Sequence, residues 1–385
     1  MANKHSGKEV FDIHKTLPPK DQRSAPSRLS QAERAAQEIS VKKKRGISFK
    51  RLFASTLLIL FLFILTIGIW DAVELSNASK KMFGSGNLFS LFGGDLASHN
   101  GRTNILLVGY SADDAGHQGA TLTDSIMLIS LDSSNKSGYI LSIPRDLWVK
   151  IPGNGYAKIN EAYQDGERDN FYQDGYPAGG MGLLESIVSD KFNLPIDYYS
   201  LINYAAFRDT VDAVGGITIN IKSNDPRGIY DPSLDYTSYN CCALADYPNG
   251  PVTLNGKQAL NLARARGDAY GSYGFGQADF DRTEHQRQML LALKQKSSSS
   301  RLILDPRRSA HLFDGMANNV KTDLSTGNVL PLYRLYSSVN NSGLKSISLR
   351  NLNGKNYLTD YGGALIPAAG TNDYTDIQEA LSQFN

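Results

Sequence analysis

Cysteine is almost absent from this 385-residue chain, and the two that occur, Cys241 and Cys242, are adjacent. Neighbouring cysteines do not readily form an ordinary disulfide, whose Cα atoms prefer a separation of about 5.5–6 Å, and they offer no metal-ligand spacing. A disulfide framework is set aside, and the pair is read as incidental or, at most, as a strained vicinal disulfide. There is no G-x-S-x-G elbow, no H-E-x-x-H, no Walker loop and no dinucleotide glycine fingerprint. The six histidines are scattered, with His5 and His14 near the N-terminus, which gives a zinc site or a histidine-activated nucleophile little support.

Strong net charge is also lacking, at +2 overall, but the small figure conceals a division. Residues 1–51 carry 13 Lys and Arg against 5 Asp and Glu, whereas the remainder carries 27 against 33. The main body is therefore mildly acidic, which disfavours a general nucleic-acid-binding surface, because non-specific affinity needs a cationic field. The basic segment reads as a disordered tail, and it changes abruptly at "VKKKRGISFKR" into "LFASTLLILFLFILTIGIW". That run, residues 52–70, is 19 residues without a charge, close to the ~20 a helix needs to cross a bilayer core. Trp70 suits the membrane interface, and the flanking basic cluster places the N-terminus in the cytoplasm and everything after the span outside. The expected order is thus a tail (1–51), a transmembrane anchor (52–70), a membrane-proximal linker (71–100) and an extracellular domain (101–385).

That domain opens on "RTNILLVGY", whose nearly continuous apolar run suits a strand covered on both faces. "DSIMLISLD" and "SGYILSI", separated by the turn-rich "SSNKSG", read as a hairpin. Helical patterns follow in "GMGLLESIVSDKF", "INYAAFRDTVDAVGG" with its two-glycine stop, "GKQALNLARA" and "RTEHQRQMLLALKQK", with "ITINI" a strand among them. Beyond residue 300 the pattern gives two or three helical pieces and one or two short strands. Strands and helices alternate without repeats, which indicates one α/β or α+β domain with a layered core.

The chemistry left is that of arginine, lysine and carboxylate, the groups that bind phosphate and work with magnesium in phosphoryl transfer. "LSIPRDLW" puts Arg145 and Asp146 just past a buried strand, a common place for ligand contacts and equally for a solvated ion pair. Asp124 in "TLTDSIM" starts the preceding strand, and Lys158 in "YAKINEAY" falls in a loop; by default both are solvated. The stretch "ARARGDAYGSYGFGQADFDRTEHQRQ", residues 263–288, is richer. Asp279, Arg282 and Gln286 stand at i, i+3 and i+7 on one helical face, with Met289 and Leu290 expected on the opposite, core side. Arg264 and Arg266 diverge if the helix continues and converge on one ligand if it ends between them, which Gly267 favours. The tripeptide Arg266-Gly267-Asp268 matches an adhesion motif, but so short a match arises often by chance.

"NILLVGY", "TDSIMLISLD", "LSIPRD", "KINEAY", "VDAVGGITINI", "LNGKQALNLARAR" and "DFDRTEHQRQ", with "VKTDLS" after them, occur in the order of the LytR-CpsA-Psr family. Any one of these is weak, but together they make residues 101–385 resemble that family throughout. The resemblance implies a central mixed β-sheet flanked by helices, with an apolar pocket for a prenyl chain. It further implies a membrane-anchored phosphotransferase acting on a polyprenyl-pyrophosphate-linked glycopolymer of teichoic-acid or capsule type. The polymer would pass, with one phosphate, to a hydroxyl of peptidoglycan, releasing polyprenyl phosphate. By the same resemblance Arg145, Arg264, Arg266 and Arg282 would hold the pyrophosphate, joined by Lys158 and Gln286. Asp124 would hold magnesium or manganese, Asp279 would orient an arginine, and Asp146 would support Arg145.

One position departs from the pattern. The family usually has a carboxylate two residues after the glycine of the first strand, where this chain has Ser111. Either Ser111 substitutes, or Asp113 or Asp114 reaches in, or the metal site is weakened. His285 stands where an arginine is common, one charge fewer. A weakened metal site would favour a scaffold that binds lipid-linked polymer without transferring it. A membrane-bound regulator using the basic tail on DNA ranks below both, because the tail lacks an apolar helical pattern.

Overall fold

The computed structural model describes residues 94–111, 121–234, 243–276, 279–300, 319–339 and 343–384, with six further positions besides, and Asp279 and residues 297–300 by their backbone alone. The expected span 52–70, the basic tail, Cys241-Cys242, Asp113 and Asp114 lie outside the described residues. Among the described residues no helix is long and apolar enough to cross a membrane.

The strand read from "RTNILLVGY" forms as β1 (Arg102–Tyr110), and it sits inside the sheet because both of its faces are apolar. The hairpin forms as β2 (Thr123–Asp132) and β3 (Ser137–Ile143). Its turn is closed by the Asp132 carboxylate, which accepts the backbone N–H groups of Ser134 and Asn135 at 2.8 and 2.9 Å. A small hairpin, β4 (Trp148–Ile151) and β5 (Gly155–Lys158), follows, so Lys158 ends a strand and does not lie in a loop. Then come helices α1 (Ala162–Arg168) and α2 (Gly180–Phe192), strand β6 (Tyr198–Ile202), helix α3 (Tyr204–Ala213) and strand β7 (Ile217–Ile221). Next are β8 (Ile229–Leu234), β9 (Ala243–Tyr247), β10 (Gly250–Leu254), α4 (Gly256–Arg264) and α5 (Asp279–Ser300). The last part holds β11 (Val320–Thr322), α6 (Thr326–Ser338), β12 (Leu344–Ser348), β13 (Leu358–Tyr361), β14 (Ala364–Pro367) and α7 (Thr375–Ser382). It has more strands than the pattern suggested, because β11 and β12 are edge strands too short to show a period of their own.

The central sheet is mixed, in the order β11-β6-β1-β2-β3-β12, with β1–β6 and β3–β12 parallel and the other pairs antiparallel. Alternation along each strand gives it two apolar faces. Leu106 and Val108, Ile126 and Leu128, Leu141 and Ile143 face α2 and α7 in one core. Helices α1 and α2 approach closely through glycine: a Cβ on Gly180 would stand 2.3 Å from the Tyr163 carbonyl oxygen. The opposite face, with Ile105, Met127 and Tyr198, meets Leu290 and Leu291 of α5 and Leu335 of α6. A third cluster joins β7, β10, α3, α4 and α5 around Val211, Ile219, Leu262 and Met289. Helix α3 stops as expected: Gly215 and Gly216 take φ of +79° and +83°, and their N–H groups reach back to the carbonyls of Asp212 and Val211.

Glu185 on α2 is buried in the first of these cores, and its Oε1 meets no hydrogen-bond donor among the described residues. Burial, then the negative charge of Asp323, pushes its carboxyl from 4.5 up to about 8. A folded-state value above the unfolded one means stability present at low pH and lost as pH rises from about 4.5 through about 8. Glu185→Gln should therefore gain stability relative to the wild type between pH 5 and pH 9, by on the order of 4 kcal/mol. Urea unfolding of both proteins at the two pH values measures this, and a difference flat in pH rejects it.

Candidate active site

Antiparallel pairing sets the first part of the site. Ile126 of β2 lies opposite Ile143 of β3, so two residues further along Asp124 meets Arg145 at the same end of the sheet. Pro144 takes the chain out of the sheet just before Arg145. Arg145 Nη1 donates to Asp124 Oδ1 at 2.5 Å, and its Nε lies 3.7 Å from Asp146 Oδ2. Lys158 pairs in register with Trp148 across the β4–β5 hairpin, and its Nζ donates to Asp146 Oδ1 at 2.6 Å. Charges thus alternate along Lys158, Asp146, Arg145 and Asp124, all at least three-fifths shielded from solvent. Arg282, nearly fully buried, joins from α5 by donating Nη2 to the Asp124 carbonyl at 3.2 Å.

The second part comes from the end of α4. The last helical residue is Arg264; Ala265 is extended and Gly267 has φ of +69°. The chain therefore turns between the two arginines, and both line one cavity with Asp124, Asp268, Arg282 and Gln286. The cavity measures about 310 Å³ and lies between the second sheet face and α3, α4 and α5. Leu107, Met127, Ile202, Phe207, Leu244 and Leu260 give it an apolar wall. The Arg264 guanidinium lies over the Tyr204 ring at 5.1 Å, a cation–π contact that restrains an otherwise mobile side chain.

Arg264, Arg266, Arg282, Gln286 and Asp124 are thus brought together, while Arg145 joins them through Asp124, Lys158 reaches Arg145 only through Asp146, and neither lines the cavity. The Asp279 side chain, Asp113 and Asp114 lie outside what is described. Ser111 is fully buried and is not part of the cavity lining. Leu290 departs from expectation in part: it stands four residues after Gln286, one turn along the same face, and lines the cavity while also packing against the core of the second sheet face, whereas Met289 lies in the third cluster. Arg287 turns away, donating Nη1 to the Ile347 carbonyl at 3.1 Å. Burial, partly opposed by the charge of Asp281, holds the His285 imidazole down at about 4, so it is neutral near pH 7 and adds no cation. Sequence reasoning missed Tyr204 and Asp231, which have no motif and reach the cavity only through tertiary folding, and it met Asp268 only within the adhesion-like tripeptide.

The profile of the LytR_cpsA_psr family matches residues 71–380. The chain belongs to this family. Among the proteins it resembles is the polyisoprenyl-teichoic acid–peptidoglycan teichoic acid transferase TagU of Oceanobacillus iheyensis. That relative is 33% identical over 240 residues, covering 62% of this chain and 64%, just under two thirds, of its own length. The transferase TagT of Bacillus subtilis is 28% identical over 333 residues, covering 82% of this chain and 89% of the relative. A solved structure of TagT bound to LI-WTA aligns with a TM-score of 0.53 at 22% identity, over 76% of this chain and 94% of that one. Another, of TagT with bound octaprenyl pyrophosphate lipid, aligns with a TM-score of 0.50 at 22% identity, over 76% and 92%. At these identities the structures establish the shared fold, a mixed sheet flanked by helices.

Gln286 makes a sharp structural prediction. Its Nε2 donates to the Ala263 carbonyl and its Oε1 accepts from the Ser125 hydroxyl, both at 2.9 Å, so it ties β2 to the end of α4. Gln286→Ala should lower unfolding stability by about 1–3 kcal/mol without any ligand present, as chemical denaturation would show. A residue waiting only for ligand would leave that stability unchanged.

Proposed function

We propose that the protein is a membrane-anchored phosphotransferase that moves a glycopolymer from a polyprenyl-pyrophosphate carrier to a hydroxyl of peptidoglycan. The observation that carries this reading is the convergence of Arg264, Arg266 and Arg282, from two separate segments, on the rim of one largely apolar cavity. Such a cavity suits a ligand with an anionic head and a hydrocarbon tail. A pyrophosphate diester carries about two negative charges and gains more on its leaving oxygen during transfer, which preorganised guanidinium groups stabilise. A prenyl chain would add about 0.8 kcal/mol per buried CH₂.

In the step itself the acceptor hydroxyl oxygen forms a bond to the phosphorus on the glycan side. The bond from that phosphorus to the bridging oxygen breaks, the hydroxyl proton is lost, and polyprenyl phosphate departs. Arg264, Arg266 and Arg282 would orient the two phosphates, and Arg145 would exchange its Asp124 partner for a phosphate oxygen. Lys158 holds Asp146 in place beside Arg145.

Among the described residues no group of three His, Cys, Asp or Glu side chains could hold a metal ion. A single carboxylate with phosphates and waters is nonetheless enough for magnesium. Asp124, at the cavity edge, fits that requirement and would hold magnesium or manganese, whose charge would help neutralise the pyrophosphate. The run 52–70 would be the anchor, with the N-terminus in the cytoplasm and the transferase domain outside. The relatives named as teichoic acid transferases favour a teichoic acid over a capsule polymer as the cargo. A non-catalytic scaffold is the second reading, favoured by Ser111 and by the Asp124 carboxylate already pairing with Arg145.

The test uses the full chain in detergent with a polyprenyl-pyrophosphate-linked saccharide, a peptidoglycan oligosaccharide and magnesium or manganese. Mass spectrometry should detect joined product and polyprenyl phosphate, with Arg145→Ala lowering turnover at least about a hundredfold. Bound lipid with no product under either metal would favour the scaffold.

A further inference from the structure

The segment 266–275 is neither helix nor strand and contains Gly267, Gly271 and Gly274, yet it must hold Arg266 on the cavity. What fixes it is Asp231 of β8, which is 1% exposed. One oxygen of that carboxylate, Oδ2, accepts the backbone N–H groups of both Arg266 and Gly267 at 2.9 Å. The other, Oδ1, accepts the Ser233 N–H at 3.0 Å, and the Ser233 side chain also donates to the carboxylate. Burial alone would raise the Asp231 carboxyl, but the hydrogen bonds from Ser233, Gly267 and Arg266 outweigh it and keep the group below the usual carboxylate range.

Neighbouring contacts clamp the same segment. Tyr230 and Tyr273 exchange backbone hydrogen bonds at 3.0 Å and stack their rings at 5.4 Å. On the other side of the turn, a Cβ on Gly267 would come 2.3 Å from Phe275. The left-handed conformation of Gly267 is therefore held between a carboxylate and an aromatic ring.

We infer that Asp231 is a positioning residue: it fixes the turn after α4 so that Arg264 and Arg266, two residues apart, point into one anion site. Asp231 itself lines that cavity, but with four donors it has used the acceptor capacity a carboxylate offers. Its role is thus to hold the turn and not to bind a cation. This rests on the proposed reading of the cavity as a prenyl-pyrophosphate site.

The direction of the effect distinguishes the role. By charge alone, removing a buried anion from an anion-binding cavity should tighten diphosphate binding. Positioning predicts the opposite, because the amide NH₂ of Asn would face backbone N–H groups and displace the turn. Calorimetric titration of the full chain in detergent would compare farnesyl diphosphate with farnesol. Wild type should prefer the diphosphate, and Asp231→Asn should lose at least about tenfold of that preference while binding farnesol within about twofold of wild type. Gly267→Ala, which disturbs the turn from the opposite side, should lose the same preference and serves if Asp231→Asn does not fold. A preference unchanged or increased in these variants overturns the inference, as does loss of farnesol and diphosphate binding together, which marks a general packing role. A wild type that binds the alcohol as well as the diphosphate instead overturns the reading of the cavity.

Discussion

Guanidinium groups repel one another, and gathering several around a partly desolvated space is the constraint on which this site depends. The protein meets it by interleaving carboxylates and by fixing backbone. Asp146 stands between Lys158 and Arg145, and Asp124 receives Arg145 through its carboxylate and Arg282 through its carbonyl. Arg264 is steadied by the face of Tyr204, where the ring's electron density offsets part of the cation's field. Asp231 contributes negative charge near Arg266 while spending its lone pairs on main-chain N–H groups. Each cation is thereby tolerable without any bound anion, and Arg264, Arg266 and Arg282 still face the cavity.

The cavity itself follows from asymmetry between the two faces of the sheet. Against α2 the strands present Leu, Ile and Val, and the layer closes. On the other face, towards the site, β1 places Gly109 opposite Ser125 of β2, two small residues where larger ones would fill the space. Helices α3, α4 and α5 close over that gap with Phe207, Leu260 and Leu290, giving an apolar wall beside a cationic rim. The same helix α5 supplies Arg282 and Gln286 to the rim and Met289 to the neighbouring core, so one rigid element serves both the cavity and the packing.

Much of this could be read along the chain. The β2–β3 hairpin, the stop of α3 at two glycines and the end of α4 between Arg264 and Arg266 are local events, decided by alternation, by a turn and by glycine's left-handed freedom. Of the residues that the family motifs singled out, Asp124, Arg264, Arg266, Arg282 and Gln286 meet at one cavity, whereas Arg145 and Lys158 do not line it. Two departures instruct: Lys158 fell in a strand because its pairing with Trp148 lies across a hairpin, and Leu290, besides packing against a core, reached the cavity because helical phase puts it on the Gln286 face.

By itself the sequence determined the alternation of strands and helices, the division of charge between a basic N-terminal segment and an acidic body, and which arginines were available. These depend on neighbours within a few residues, where propensity and periodicity act. Only the tertiary structure decided that Asp124 faces Arg145, that Tyr204 underlies Arg264 and that Asp231 grips the turn at Arg266 and Gly267. Those partners stand 21, 60 and 35 or more residues apart, and only pairing register and helix packing set which side chains meet over such distances.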